Sequence, residues 1–242
     1  MLKIFVVLVY LFSFEAQASP ELIGGIDAED GDFPEVVYIT NGSSRCSATV
    51  IGPRVIMTAA HCVADGGGIK PATFSVQQAA YTARCQQAPL YRDQKEDHDL
   101  ALCLVDRPLP ANYASISGRY LAVGDTVTLS GYGCVKKGGG GGNDGQLRYG
   151  TARVTRLPNA NDNWFYTLGR TAICFGDSGG PAFRQIDNPA TEHHYVEGVN
   201  SRGNIDDMSL LTSVHILKSR IFFRDFESNN RVEICGIQKI CD

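Results

Sequence analysis

Gly176-Asp177-Ser178-Gly179-Gly180-Pro181 constrains this chain more than any other stretch, because the segment that would partner it, Thr58-Ala59-Ala60-His61-Cys62, lies far upstream. A serine hydroxyl is a poor nucleophile at neutral pH unless an imidazole takes its proton during attack. Any fold that makes Ser178 reactive must therefore bring the two segments together. The glycines around Ser178 permit a tight turn that aims consecutive N–H groups at one point, where a developing oxyanion is held. Between the two segments stands His98-Asp99-Leu100-Ala101-Leu102, an acid heading an apolar run. His61, Asp99 and Ser178 are thus the candidate base, orienting acid and nucleophile, in that chain order.

Short β-rich runs separated by Gly, Pro, Asn and Asp dominate the rest. They include Val36-Val37-Tyr38-Ile39, Ala48-Thr49-Val50-Ile51, Val55-Ile56-Met57-Thr58, Thr126-Val127-Thr128-Leu129 and Tyr195-Val196-Glu197-Gly198-Val199. This spacing predicts an all-β antiparallel sandwich or barrel. With 242 residues the chain fits one large β-domain or two small lobes sharing a site. One helix is predicted over Ile216 to Phe226, where Leu217/Ile221 and Phe222/Phe226 fall four residues apart. Lys136-Lys137 followed by Gly138 to Gly142 lacks the Lys-Ser/Thr and helix of a phosphate-binding loop and is expected to be a surface loop.

The start of the chain predicts export. Lys3 precedes an apolar core from Ile4 to Phe14, and Ala16-Gln17-Ala18 has the small residues a signal peptidase requires. The apolar run is too short to span a bilayer, so the protein is expected to leave the membrane after cleavage behind residue 18. Eight dispersed cysteines without a C-x-x-C pair argue for disulfides. A net charge of −4 with no dense Lys/Arg cluster argues against nucleic acid as a partner. His193-His194 and His215 lack the spaced third ligand of a tetrahedral metal site, and no metal or cofactor is expected. His98, read as a strand neighbour of Asp99 pointing to the opposite face, is expected to be a bystander.

The three segments in this order resemble those of the trypsin/chymotrypsin family of serine proteases, and the likeness runs from Leu22-Ile23-Gly24-Gly25 to about Phe226. The resemblance implies two antiparallel six-stranded β-barrel lobes with the active site in the cleft between them. It divides the chain into a signal peptide (1–18), a short activation segment (19–21), a peptidase domain (22–226, crossing between lobes at about 111–120) and a C-terminal tail (227–242). The predicted helix matches the family's C-terminal helix, placed by the resemblance on the second barrel. By the same resemblance the N–H groups of Gly176 and Ser178 form an oxyanion hole, and a free amino group on Leu22 pairs with Asp177 after a cut behind Glu21.

Cys46 and Cys62 match the family's bridge beside the catalytic histidine; the other six cysteines allow fifteen connectivities. On the resemblance, Cys85 and Cys103 sit on neighbouring strands and Cys235 and Cys241 close a tail loop. That leaves Cys134 with Cys174, a departure from the family's usual pairing. Where trypsin-like relatives place a pocket-floor aspartate, this chain has Ala172, with Ile173 beside it; Ser201, Gly203 and Ser209 complete the expected specificity pocket. Such a pocket favours apolar side chains, unless Asp206 or Asp207 reaches a basic one. The loop from Val63 to Val76 carries a single acid, Asp65, which argues against the calcium site of some relatives. The expected partners are protein or peptide substrates, an unidentified activating protease and protein inhibitors of a monomeric, secreted or periplasmic enzyme. Two other classes stay open at this point: a catalytically silent binding or regulatory homologue on the same fold, and an esterase.

Overall fold

The computed structural model describes residues 22–242 except 43, 66–67, 92–97, 143, 161, 240 and 242, and not the side chains of 65 and 68. The predicted signal peptide and the 19–21 segment lie outside the described residues. Six strands form a closed antiparallel barrel: β1 (Val36–Asn41), β2 (Ser44–Gly52), β3 (Val55–Thr58), β4 (Ala72–Val76), β5 (Ala79–Gln87) and β6 (Ala101–Val105). Around the barrel they run β1-β2-β3-β6-β5-β4. A second set comprises β7 (Thr126–Gly131), β8 (Arg148–Arg156), β9 (Trp164–Leu168), β10 (Pro181–Arg184), β11 (Tyr195–Gly203) and β12 (Met208–Ser213). Its order is β8-β7-β10-β11-β12-β9, and pairing of β8 with β9 closes it. The protein is thus all-β, two six-stranded barrels with one helix.

Closure removes the open edges that would otherwise expose unpaired N–H and C=O groups. Alternation decides which side chains go inward: Ala72, Phe74 and Val76 of β4 are buried while Thr73 and Ser75 face outward. The second barrel's core gathers Val127, Leu129, Val154, Phe165 and Leu211, and Leu22 packs into the same cluster. The stretch 111–120 lies between β6 and β7, and its short strand Ser115–Ile116 runs parallel to Tyr195–Val196 at the start of β11.

Four disulfides pair all eight cysteines: Cys46–Cys62, Cys85–Cys103, Cys134–Cys174 and Cys235–Cys241. Cys85 and Cys103 stand directly opposite each other on β5 and β6.

The helix, α1 (Leu217–Asn230), outruns the predicted end by more than a turn and stops where Arg231 adopts a left-handed conformation, φ 54°. Its two expected pairs do not share a buried face. Leu217 and Ile221 are 72% and 47% exposed, whereas Phe222, Phe223 and Phe226 are buried. Those phenylalanines join the large apolar cluster that holds the first-barrel core together with Phe183, Val196 and Val199 of the second. The helix packs beside β6, so it does not rest on the second barrel alone as the resemblance implied. Periodicity gave the correct element here; adjacent Phe222 and Phe223 set the face.

After α1 the chain folds back on the first barrel. The Cys235 N–H donates to Ile51 O (2.8 Å), and the Ile116 N–H donates to Cys235 O (2.8 Å). Glu227 accepts the Ile234 N–H (2.8 Å), and Ile234 and Cys235 are fully buried. Gly52 makes this fit possible: a Cβ there would lie 2.1 Å from Glu233 O. Gly52→Ala should cost about 1–3 kcal/mol, the usual range for overpacking, read as a lower urea midpoint. An unchanged midpoint would mean that the close approach of Glu233 to Gly52 does not constrain the tail.

Candidate active site

His61 stands on a single 3-10 turn, Ala60–Cys62, directly after β3. Asp99 is completely buried just before β6. Its carboxylate Oδ1 accepts the His61 backbone N–H (2.9 Å), and Oδ2 lies 2.6 Å from His61 Nδ1. The second barrel supplies two more donors. Ser201 Oγ on β11 donates to Asp99 Oδ2 (2.6 Å), and Thr212 Oγ1 on β12 donates to Asp99 O (3.0 Å). The imidazole is about one-third exposed, so one edge of it stays open to the cleft.

Ser178 is brought to this pair through Cys62, whose Sγ lies 3.7 Å from His61 Nε2 and 3.6 Å from Ser178 O. A residue the sequence reading missed fixes the approach. Ser47 on β2 donates its N–H to Ser178 O (2.8 Å) and its hydroxyl to Gly176 O (2.8 Å). The same hydroxyl accepts the Tyr132 N–H (3.1 Å). Its position next to Cys46 was the one available signal.

Local backbone geometry explains the composition of the serine segment. Gly176 and Gly179 have φ of 106° and 83°, and a Cβ on Gly179 would sit 2.0 Å from Thr58 Oγ1. The N–H groups of Asp177 and Gly179 bond Cys174 O (3.1 Å) and Asn200 O (2.8 Å). Among the described residues, neither Gly176 N–H nor Ser178 N–H donates to a protein acceptor. Two unspent donors on either side of Asp177 are suited to an anion.

Leu22 is buried in the second-barrel core, and Ile23 packs with Cys134, Ala172 and Cys174. The Ile23 carbonyl accepts the Ala172 N–H (2.9 Å). Asp177 is fully buried and accepts N–H bonds from Gly133 to Oδ1 and Cys174 to Oδ2, both 2.8 Å. Burial pushes its carboxyl up to about 7, against the two N–H bonds and the positive charge of Arg148.

Of the expected pocket residues, Ala172, Ile173, Ser201 and Ser209 are buried, and Ile173 N–H donates to Ser209 Oγ (3.0 Å). Gly203 pairs with Ser209 across β11 and β12. Asp206 is engaged by Lys137 in an ion pair, and Asp207 accepts the Asn204 side-chain N–H (2.7 Å). Arg202 lies with its guanidinium carbon 5.1 Å from the centre of the Trp164 ring.

The remaining histidines go elsewhere. His98 is not on a strand: at φ 56° it turns away from Asp99, is buried, and meets Ser219 Oγ of α1 at 3.0 Å. Its separation from Asp99 comes from a left-handed backbone and not from the strand alternation expected of it. His193 meets Ser115 Oγ (2.8 Å), while His194 and His215 pair with Glu35 and Glu197 respectively. Among the described residues the one cluster with metal-ligand spacing is Cys46, His61 and Cys62. Two of its three sulfur and nitrogen donors are joined in a disulfide.

The profile of the family described as Trypsin matches residues 22–218, and the chain belongs to that family. Serine protease SP24D of Anopheles gambiae is 30% identical, over 66% of this chain and 66% of that protein. A trypsin-like protease of Streptomyces glaucescens is 25% identical, over 70% and 69%. Trypsin eta of Drosophila melanogaster is 26% identical, over 71% and 77%. The chain spans about two thirds of the mosquito relative's length. Among the described residues no helix is long and apolar enough to cross a membrane.

Asp177 generates a pH prediction for the unprocessed chain, in which Leu22 is still in peptide linkage to Glu21. Because its folded-state pKa is raised, to about 7, unfolding releases a proton above the ordinary carboxylate range. Stability should therefore fall as pH rises from about 4 to about 7, by up to about 1.4 kcal/mol per pH unit. Asp177→Asn should remove that slope, as read by urea denaturation across the interval in a Ser178→Ala background. Equal slopes with and without Asp177 would contradict the argument.

Proposed function

We propose that the protein is an exported serine endopeptidase that hydrolyses peptide bonds through an acyl-enzyme on Ser178. The observation that carries this is the buried Asp99 carboxylate bonded to His61 Nδ1 at 2.6 Å, with Ser178 across Cys62 from the imidazole. Ser178 Oγ attacks the scissile carbonyl while His61 Nε2 takes its proton. Asp99 fixes the tautomer with the proton on Nδ1 and stabilises the imidazolium. The carbonyl oxygen becomes an oxyanion held by the N–H groups of Gly176 and Ser178, and one such donor contributes on the order of a hundredfold or more. Collapse expels the amine, which takes the proton from His61. Water then repeats the sequence against the ester, and Ser178 is regenerated.

Activation follows from the same neighbourhood. A free amino group on Leu22 would bring a cation to the buried Asp177, whose desolvation otherwise opposes ionisation. Burial of Leu22 and Ile23 supports an inserted terminus. The four disulfides support an oxidising compartment outside the cytoplasm, consistent with the signal peptide read at 1–18.

The primary pocket is apolar in this reading. Ala172 and Ile173 offer no charge, and the contacts of Asp206 and Asp207 with Lys137 and Asn204 support leaving both acids outside it. Profiling with a peptide library should show Leu, Met, Phe or Tyr before the scissile bond, preferred over Arg or Lys by about tenfold or more (1.4 kcal/mol). A profile dominated by Arg or Lys would overturn the apolar pocket.

Ser178→Ala should abolish labelling of the processed protein by a fluorophosphonate and nearly all turnover. A residual acceleration of about a thousandfold over water, from binding and the oxyanion donors, is expected to survive. Absence of a Ser178 adduct in the processed wild type would favour a silent homologue instead.

A further inference from the structure

Arg148 is the largest fully buried side chain among the described residues. A guanidinium cannot shed its charge, so burial requires acceptors at close range. Nε donates to Asp27 Oδ1 (3.0 Å), while Nη1 and Nη2 donate to the two oxygens of Asp144 (2.9 and 2.6 Å). Nη1 also reaches Gln146 O (3.2 Å). The guanidinium is 2% exposed, whereas Asp27 and Asp144 are 59% and 50% exposed. The cation thus lies inside and its counter-charges lie toward water. The guanidinium holds the Asp144 carboxyl well below the usual carboxylate range.

Arg148 connects two parts of the activation region. Its backbone pairs with Asp27 on one side, and Ile26 pairs with Tyr149. The Ala28 N–H donates to Leu147 O (2.9 Å), and Gln146 Nε2 donates to Ala28 O (3.0 Å). Residues 26–28 are therefore fastened to 146–149 immediately downstream of Leu22-Ile23-Gly24-Gly25. On its other side Arg148 pairs with Gly131, which abuts Asp177 so closely that a Cβ would lie 2.5 Å from Asp177 Oδ1.

We infer that Arg148 is a positioning residue for activation, clasping residues 26–28 through Asp27 so that a Leu22 terminus is held on a short tether beside Asp177. This rests on the activation mechanism proposed above. A short tether keeps the effective concentration of the amino group at Asp177 high, and loosening the clasp lengthens the tether and lowers it. The positive charge of Arg148 also favours the ionised form of Asp177, which the ammonium needs as a partner.

The test uses protein processed to begin at Leu22, with Asp27→Asn, Arg148→Met and Arg148→Lys compared with the wild type. In a Ser178→Ala background, carbamylation of the Leu22 amino group by cyanate reports its burial without any need for turnover. The wild-type amine should react at least tenfold more slowly than that of a Leu-Ile-Gly-Gly peptide. Asp27→Asn and Arg148→Met should each raise its rate several-fold, and Arg148→Lys should restore part of the protection. With Ser178 present, kcat should fall in step while KM stays within about twofold. Asp27 is largely exposed, so Asp27→Asn keeps the test sound if Arg148→Met fails to fold. A protected amine unchanged in Asp27→Asn would overturn the clasp and leave the activation mechanism standing. A wild-type amine as reactive as the peptide's would overturn both.

Discussion

A carboxylate with no access to water must find its donors in whatever packs around it, and Asp99 finds them on both barrels. His61 approaches the carboxylate from the end of β3 and Ser201 from β11, while Thr212 of β12 bonds the backbone carbonyl of Asp99. Separating the barrels would strand a buried charge, which is far more costly than losing an ordinary surface contact. The same group that orients the imidazole therefore also sets the alignment of the two lobes. Ser47 repeats the arrangement one step away: a first-barrel residue whose N–H and hydroxyl hold the carbonyls on either side of Asp177. The Ser178 segment is thus held beside Cys62 and the His61 turn by bonds from the opposite barrel.

Much of this was legible in the residues. Val, Ile and Thr runs broken by turn residues marked the strands, because β-branched side chains suit a pleated, half-buried surface. The triad segments stood out because glycine is the residue that tolerates the positive φ and close contacts around Ser178. Less legible were features set by packing between distant segments. Nothing in Ser-Ala-Thr announces that Ser47 would bridge the barrels, and nothing in Leu-Arg-Tyr announces that Arg148 would be wholly buried. The helix shows the limit of periodicity: Leu217/Ile221 and Phe222/Phe226 have identical spacing, and only the phenylalanine pair meets a core. His98 likewise escaped a strand rule because its backbone is left-handed.

Neither the tail nor the departure at Cys134 could be interpreted by comparing patterns, and both have a simple physical account. The tail buries Ile234 and Cys235 against β2, while the short Cys235–Cys241 bridge closes a loop there. Cys134–Cys174 fastens the segment after Gly131-Tyr132-Gly133 to the residues just before Gly176, where the Phe175 N–H also points at Cys134 Sγ (3.1 Å). The covalent constraint therefore falls directly upstream of the two free N–H donors.

It leaves the loop from Asn204 to Met208 without a covalent tie. That loop is held by the Asn204 side chain, which accepts the N–H groups of Asp206, Asp207 and Met208 at 2.9–3.0 Å. It is also held by the Lys137–Asp206 pair and by the Gly138 N–H bond to Ile205 O (2.9 Å). The ion pair raises the Lys137 ammonium above its ordinary value, chiefly through the hydrogen bond to Asp206. Both partners are largely exposed, and exposed pairs contribute little and are screened by salt. Stability at the pocket entrance is therefore divided unequally. The side with the free Gly176 and Ser178 N–H groups is anchored by a disulfide and a buried carboxylate, while the side facing Gly138 and Lys137 rests on a turn and one solvated ion pair. On the proposed mechanism, accommodation of different substrate side chains should accordingly come from the Asn204–Met208 side, since the opposite wall carries the N–H groups proposed to hold the oxyanion.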